Sequence, residues 1–270
     1  MAALNQPIDQ ATATTFVEVV RRMLGPGPDD AALVIPSESL SHLLVDPAVA
    51  FVEARGGEVL RGAPARVTVD TRGVTGVDVR GRLISARHVV SSVPWHAVAA
   101  LFQEVPEALV PIVSRASAMQ SAPIVTVNLW FDRAVLDAPF IGLPGRAFQW
   151  VFDKRLVAPG QGTHLSLVCS GADEIVGLEN DAIIARALAE FTGAVPMAGR
   201  ARLVRATAVR ERRATFSLAA GEPTRPATAT PLPGLLLAGD WIDTGLPATI
   251  ESAVVSGHRA ARAVLGRGHA

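Results

Sequence analysis

The chain has 270 residues, of which 49% are hydrophobic, so it can bury the core of one large or two modest domains. Its 25 basic and 25 acidic residues give a formal net charge of zero, which excludes the basic surface typical of nucleic-acid-binding proteins. The single cysteine, Cys169, excludes a disulfide framework and favours a reducing, cytoplasmic setting.

Two helices are predicted in the first part of the chain. The first covers residues 9–24, where apolar residues recur at helical spacing, Asp9 is placed to cap the N-terminus and Gly25 ends the pattern. The second covers residues 46–55, with proline in its first turn and glycine after its last, which is the usual asymmetry of helix ends.

A group of β-type segments follows, bounded by turn residues. The residues are rich in valine and threonine, and a proline at the end of the group is predicted to start a helix. The predicted strands are 58–60, 65–70, 74–80 and 83–93, and the predicted helix is 95–102.

The middle of the chain is predicted to form a second sheet. Strands at 123–131, 147–152 and 163–169 follow one another without intervening helices, which is typical of an antiparallel sheet. A helix over 181–191 and an arginine-rich strand over 202–210 complete this region.

A short apolar run at 234–239 stops at Asp240, and a turn containing glycine and proline leads into a long helical pattern. Because such runs suit strands buried on both faces, we expect 234–239 to share a parallel sheet with 83–93. The free N–H groups and positive dipole end of the helix could receive an anionic or carbonyl ligand. An ordinary α/β crossover has the same pattern, so the pattern alone leaves both interpretations open.

The helical pattern after this turn has an apolar side and a polar side. Ile250 and Val254 belong to the apolar positions, while Ser252, Ser256 and Arg259 belong to the polar ones. The sequence contains no GxSxG elbow, no Walker A loop and no HExxH, and its six histidines have no metal-ligand spacing. We therefore predict no metal site and assign no catalytic residue.

Four stretches together resemble the C-terminal part of the FAD-dependent amine oxidase and phytoene desaturase superfamily. Within it, the chain is most similar to the squalene-associated FAD-dependent desaturases, the hydroxysqualene dehydroxylases of hopanoid biosynthesis. The stretches are AALNQP, DPAVAFVEARGGEVLRGAPARV, HVVSSVPWHAVAALF and, most specifically, LLLAGDWIDTGLPATIESAVVSGHRAA. The resemblance implies a mixed α/β (α+β) fold with an incomplete FAD/NAD(P)-binding Rossmann-like domain and an antiparallel-sheet substrate-binding domain. The first domain would comprise 37–102 and 232–268, and the second 1–36 and 103–231.

The resemblance also implies a set of FAD-binding residues around the most specific stretch. Gly239 would lie by the pyrophosphate, where a missing side chain permits close backbone approach. Asp240 would accept hydrogen bonds from ribityl hydroxyls. Thr249 and Ile250 would present backbone N–H groups to the carbonyl edge of the flavin pyrimidine ring.

Further cofactor contacts are implied nearer the start of the chain. Val67 matches a position whose backbone pairs with adenine, and Ser92, Val93 and Pro94 match a strand end beside the cofactor. Each has a plainer interpretation: the two valines would be core residues in any α/β fold, and Ser92 would cap the helix at 95–102.

The implied reaction is reductive removal of the hydroxyl of hydroxysqualene, with reduced FAD as hydride source and an apolar tunnel for the polyprenyl chain. Trp130, Phe131, Phe148 and Trp150 would line or support that tunnel, or would simply be core residues. The alternatives are a carotenoid-type desaturase or an amine-oxidase-like flavoenzyme.

The superfamily binds FAD first through an N-terminal βαβ unit with Gly-x-Gly-x-x-Gly, and this sequence does not contain it. The expectation is therefore a truncated form. It could come from a truncated gene, a split gene or a misplaced start. Two alternatives are a non-catalytic partner, which completes FAD binding with a separately encoded N-terminal half, and a relic with no function. Peripheral contact with the inner face of the membrane through an amphipathic helix, 9–24 or 181–191, is a further hypothesis.

Overall fold

The computed structural model of the protein describes residues 4–25, 27–32, 34–155 and 163–266. The chain forms two compact units, here called the sheet unit and the strand-pair unit. The sheet unit comprises Met1–Ile8, Ala31–Val59 and Ser121–Thr215. The strand-pair unit comprises Asp9–Asp30, Leu60–Gln120 and Phe216–Ala270.

These boundaries differ from the predicted domain division. Residues 37–59, predicted with the cofactor domain, group with the sheet unit. Residues 9–30, 103–120 and 216–231, predicted with the substrate domain, group with the strand-pair unit. The predicted limits at residues 1 and 268 lie outside the described residues. The assignment of one unit to the cofactor and the other to the substrate stays a prediction.

The described part of the chain contains five α-helices and ten strands. The helices are α1 (Ala13–Met23), α2 (Asp46–Glu53), α3 (Val110–Ala118), α4 (Asn180–Ala194) and α5 (Ile250–Val264). The strands are β1 (Ala65–Asp70), β2 (Gly73–Val79), β3 (Arg82–Ser85), β4 (Val89–Ser91), β5 (Ser121–Phe131), β6 (Phe140–Gly142), β7 (Trp150–Asp153), β8 (Thr163–Ser170), β9 (Leu203–Phe216) and β10 (Leu235–Leu237). None of the helices in the described ranges combines the length and apolar character needed to cross a bilayer.

The sheet unit contains a five-stranded sheet in the order β6-β7-β8-β5-β9. The pairs β6–β7, β7–β8 and β5–β8 are antiparallel, which confirms the predicted antiparallel sheet. One face of the sheet carries fully buried side chains of β5 and β8 and packs in one core with the side chains that α4 buries at successive turns. These residues of α4 are Ile183, Ala187 and Phe191.

The four aromatic residues assigned to a tunnel divide between two environments. Phe131 and Phe148 belong to the core, so the plainer interpretation is correct for them. Trp130 and Trp150 are half-buried, because alternate residues along a strand point to opposite faces. Trp130 stacks on His164, with ring centroids 4.3 Å apart.

The strand-pair unit contains an antiparallel meander, β1-β2-β3, and a parallel pair formed by β4 and β10. The parallel pair confirms the predicted pairing of these two regions. The meander joins it through the Val74 N–H, which donates to Pro233 O at 2.9 Å. Gly73 makes this approach possible, because a Cβ there would collide with the Pro233 carbonyl.

Several elements predicted in the first 102 residues are wrong in detail. The predicted strand 83–93 is interrupted because its first part pairs with β2 and its last part pairs with β10. The predicted helix 95–102 consists of two short 3-10 turns, and 58–60 is not a strand. The first helix begins at Ala13 behind Thr12, so Asp9 is not its cap.

Candidate functional site

The predicted cofactor residues gather where β4 and β10 end. Ser92 follows β4, and Gly239 follows β10 after one residue. The ladder continues past β10, since the Ala238 N–H donates to Ser91 O at 2.8 Å. Because the strands are parallel, both carboxyl ends meet at one edge, which is where ligands bind in open α/β sheets.

The turn after β10 requires glycine. Gly239 has φ +125°, a conformation that L side chains rarely adopt. A Cβ there would lie 3.0 Å from Cδ1 of Trp241 and 4.0 Å from Ser92 O. The backbone conformation and the side chain of Trp241 therefore both require glycine here, and the close approach of a cofactor to Gly239 stays a prediction.

Two fully buried serines fasten this turn to α5. The Gly239 N–H donates to Ser256 Oγ at 2.8 Å, and Ser256 Oγ lies 2.9 Å from Gly239 O, to which it can donate. One turn earlier, Ser252 Oγ donates to Asp240 O at 3.0 Å. Both serines are 0% exposed.

The orientation of α5 corrects the predicted amphipathic pattern. The helix buries Ser252, Ser256 and Ala260, while Ile250 and Val254 are exposed. The buried face is the polar one because its hydroxyls satisfy backbone groups of the turn, which burial would otherwise leave unpaired. Sequence periodicity ranks residues by apolarity and therefore misses this face.

Asp240 is half-buried beside this turn. Burial raises the pKa of its carboxyl above the ordinary value, while the backbone N–H groups of Asp240 and Trp241 and the charge of Arg225 act in the opposite direction. A carboxylate held in this way is a strong acceptor with an incomplete set of donors. It suits a ligand that brings hydroxyl groups.

Trp241 locks the loop after Asp240 to the end of β4. Its side chain is buried, and its Nε1–H donates to Val93 O at 3.0 Å. Ser92 and Pro94 are exposed on either side of Val93. The 3-10 turn that follows has Pro94 at its N-cap without a side-chain cap, so the plainer interpretation of Ser92 as a cap is wrong.

The N-terminus of α5 contains Thr249 and Ile250, whose predicted N–H contacts with the flavin stay a prediction. Thr249 is the N-cap, and its Oγ1 accepts from the Ser252 N–H at 3.1 Å. The N–H groups of Ile250 and Glu251, in the first turn, have no partner within the helix, because helix geometry provides none. Ile250 is 53% exposed, so this end of the helix is open.

Val67 belongs to a different sheet from the other predicted site residues. It lies on β1 and pairs with Val77 of β2, and its side chain is buried in the core, as the plainer interpretation expects. A role in binding adenine would use its backbone alone, and that role stays a prediction.

A glycine turn, an acceptor carboxylate and an open helix N-terminus beyond two parallel strands are features that suit a dinucleotide ligand. The chain belongs to the flavin containing amine oxidoreductase family, whose model matches residues 27–265. The predicted superfamily, the mixed fold and FAD as the cofactor are thereby confirmed.

Curated relatives refine this placement. The chain is 34% identical to a hydroxysqualene dehydroxylase of Rhodopseudomonas palustris over 100% of its own length and 62% of the relative. It is 26% identical to one of Zymomonas mobilis over 97% of its length and 60% of the relative. A 15-cis-phytoene desaturase of Synechococcus elongatus is 28% identical, over 83% of the chain and 51% of the relative.

Solved structures support the fold. An oxidoreductase from Methanosarcina mazei superposes with a TM-score of 0.63 at 19% identity, covering 81% of this chain and 53% of that one. A putrescine oxidase superposes with a TM-score of 0.62 at 17% identity, covering 83% and 53%. The chain thus spans 51% to 62% of the length of each of these relatives and structures.

Proposed function

We propose that this chain forms part of the FAD site of an oxidoreductase that converts hydroxysqualene to squalene in hopanoid biosynthesis. The observation that carries the proposal is the half-buried Asp240 carboxylate, held beside the Gly239 turn and the open end of α5. The names of the hydroxysqualene dehydroxylases it resembles support the choice of substrate.

The residues of the site fit FAD in the part that they form. Gly239 would let backbone approach the pyrophosphate, Asp240 would accept hydrogen bonds from ribityl hydroxyls, and the first turn of α5 would donate to the pyrimidine carbonyls. When bound, reduced FAD supplies a hydride that, with one proton, replaces a hydroxyl and releases water. The protein residues bind and orient, and Trp241 and Val93 keep the two strand ends together.

The aromatic residues on the face of the five-stranded sheet opposite α4 are consistent with an apolar substrate. Phe140, Trp150 and Phe152 lie side by side on it, with ring centroids 5.8 to 6.3 Å apart, and all three are half-buried. Trp130 of β5 lies on the same face, two residues beyond Asn128, which is in line with Phe152 across β8. Contiguous rings of this kind suit a long hydrocarbon such as a polyprenyl chain.

The parallel pair of β4 and β10 has one edge at which a strand of a further polypeptide could pair. The outer edge of β10 is covered, since the Leu237 N–H donates to Thr228 O at 2.8 Å. In the described ranges, β4 pairs with β10 alone, Val90 is 45% exposed and the buried Ser91 hydroxyl has no hydrogen-bond partner. We infer that a strand of the N-terminal half of such a flavoenzyme, covalently continuous or separately encoded, pairs with β4.

A peripheral membrane contact belongs to the same proposal, with a cytoplasmic location. Helix α1 exposes Phe16, Val17 and Met23 and carries Arg21 and Arg22 in its last turn. These features suit an interfacial helix. The other predicted helix, 181–191, is unsuitable because α4 buries its apolar residues in the core.

The proposal is tested in two steps. The purified chain is titrated with FAD by flavin fluorescence, alone and with a polypeptide that carries the Gly-x-Gly-x-x-Gly unit of a hydroxysqualene dehydroxylase. We expect weak binding alone and binding tightened at least about tenfold by the added polypeptide, because two half-sites share one ligand. Failure of any combination to bind FAD would contradict the proposed site.

The second step identifies the substrate with the complex that binds FAD. Hydroxysqualene is expected to yield squalene, measured by gas chromatography. Turnover of phytoene alone would favour a carotenoid-type desaturase, a candidate supported by the Synechococcus elongatus relative. Binding of FAD with turnover of neither substrate would contradict the proposed reaction and would leave the cofactor site intact.

A further inference from the structure

Arg225 lies in a proline-, alanine- and threonine-rich tract, 222–233, whose composition predicts a plain loop. Its side chain is nevertheless only 13% exposed. Burying a guanidinium is costly unless several acceptors surround it, so the surroundings of this residue must account for its position.

The guanidinium binds three groups of one short loop, residues 241–247. Its Nη1 donates to Leu246 O at 2.8 Å and to Ile242 O at 3.3 Å. Its Nη2 lies 3.5 Å from the Asp243 carboxylate. The face of Phe216 covers the cation at 5.1 Å from the ring centroid. A planar fork with five N–H donors is suited to hold several acceptors at once, and no other side chain matches it.

The loop that Arg225 holds connects the two halves of the candidate site. It starts directly after Asp240 and ends two residues before Thr249, the N-cap of α5. Arg225 contacts it near both ends, at Ile242 and Leu246. The residue after Arg225 also binds the loop, because the Asp243 N–H donates to Pro226 O at 2.9 Å.

We propose that Arg225 is a positioning residue of the cofactor site, which fixes the spacing between the Asp240 carboxylate and the N-terminus of α5. This inference rests on the proposed function only in naming the ligand as FAD. Arg225 acts through the loop and through its charge, and it is assigned no contact with FAD or substrate.

The charges around the loop agree with this role. The charge of Arg225 counteracts the burial that raises the pKa of Asp240. Burial also lowers the pKa of Arg225, although an arginine stays charged throughout the physiological range. Arg259 approaches the same loop from the exposed side and donates to Asp243 O at 2.7 Å. Arg225, which is buried, thus stabilises the ionised form of Asp240, whereas Arg259, which is exposed, donates a hydrogen bond to the backbone of the loop.

The test compares Arg225→Gln and Arg225→Lys with the unaltered chain. Amide hydrogen exchange of residues 241–246 is measured without flavin, and FAD affinity is measured with the N-terminal polypeptide present. For Arg225→Gln we expect exchange of the loop amides to accelerate about tenfold or more and FAD affinity to fall about tenfold. Arg225→Lys keeps the charge but cannot span both carbonyls. Part of the FAD affinity should therefore return while loop exchange stays fast.

Arg262→Gln is the matched control, because Arg262 is an exposed arginine of α5, outside the loop. It should change neither measurement. Unchanged loop exchange in Arg225→Gln would overturn the proposal. So would equal acceleration of amides throughout the strand-pair unit, because that would show general destabilisation. If the unaltered chain and its partner bind no FAD, the proposed function fails, and the exchange measurement still decides whether Arg225 orders the loop.

Discussion

At the scale of single residues, the candidate site depends on groups that are costly for the fold and useful to a ligand. The Gly239 turn is held by the buried hydroxyl of Ser256, and the Asp240 carboxylate is half-buried without a full set of donors. A ligand with hydroxyl groups would supply the hydrogen-bond donors that the Asp240 carboxylate lacks within the protein.

Asp240→Asn should distinguish the effect of the ionised carboxylate on folding stability from its effect on FAD affinity. Because burial raises the pKa of Asp240 in the folded state, the native protein holds more protons than the unfolded chain between the ordinary and the raised pKa values. Stability therefore falls as pH rises through that window, and the ionised carboxylate is a burden at neutral pH. We expect the variant to keep or raise its melting temperature at pH 7, while FAD affinity falls about tenfold.

The measurements for this variant are thermal unfolding as a function of pH, from acidic to neutral solution, and FAD titration. Glu104→Gln, at an exposed acid of the same unit, serves as control and should alter neither. A clear loss of stability at neutral pH in Asp240→Asn would show that the carboxylate is satisfied within the fold, contrary to the structure.

At the scale of elements, the sequence pattern predicted the strands whose side chains are buried by apolarity. It did not predict the residues whose positions depend on hydrogen bonds. Alternation in 123–131 and 163–169 predicted strands β5 and β8, and the apolar run at 234–239 predicted β10. The same reasoning missed the buried face of α5 and the buried side chain of Arg225. Ser256 and Arg225 owe their positions to backbone groups distant in sequence, which no local pattern reveals.

The sequence located most of the candidate site through resemblance to a family. Gly239, Asp240, Ser92 and the first turn of α5 were all named from motif positions, and the structure brings them to one sheet edge. The residues that hold this site in place, Ser252, Ser256, Trp241 and Arg225, were not predicted, because they bind other protein residues and not the ligand.

Ser256→Ala should test the attachment of α5 to the turn. The substitution leaves the Gly239 N–H buried without its acceptor, so we expect the free energy of unfolding to fall by about 1–3 kcal/mol. Ser117→Ala, at an exposed serine of α3, is the matched control and should change it by less than about 0.5 kcal/mol. Urea unfolding measures both, and equal effects would mean that the buried hydroxyl contributes nothing specific.

At the scale of the whole molecule, the two faces of the sheet should respond differently to truncation. Phe148 is 0% exposed in the core, so Phe148→Ala should destabilise the sheet unit by about 3–5 kcal/mol. Trp150→Ala, on the half-buried outer face, should cost less and should weaken retention of a polyprenyl ligand. Urea unfolding and squalene binding distinguish the two variants. A loss of stability in Trp150→Ala equal to that in Phe148→Ala would place both rings in the core.

The order of segments along the chain has a consequence for how the protein forms. The segment Ser121–Thr215 lies between the segments that supply β4 and β10. These strands can pair only after a long loop closes, and closing a flexible loop costs more entropy as it lengthens. Once the inserted sheet has folded, its ends are held together and that loop is effectively short. Folding of the inserted sheet is therefore expected to come first and to accelerate assembly of the edge on which Asp240 is displayed.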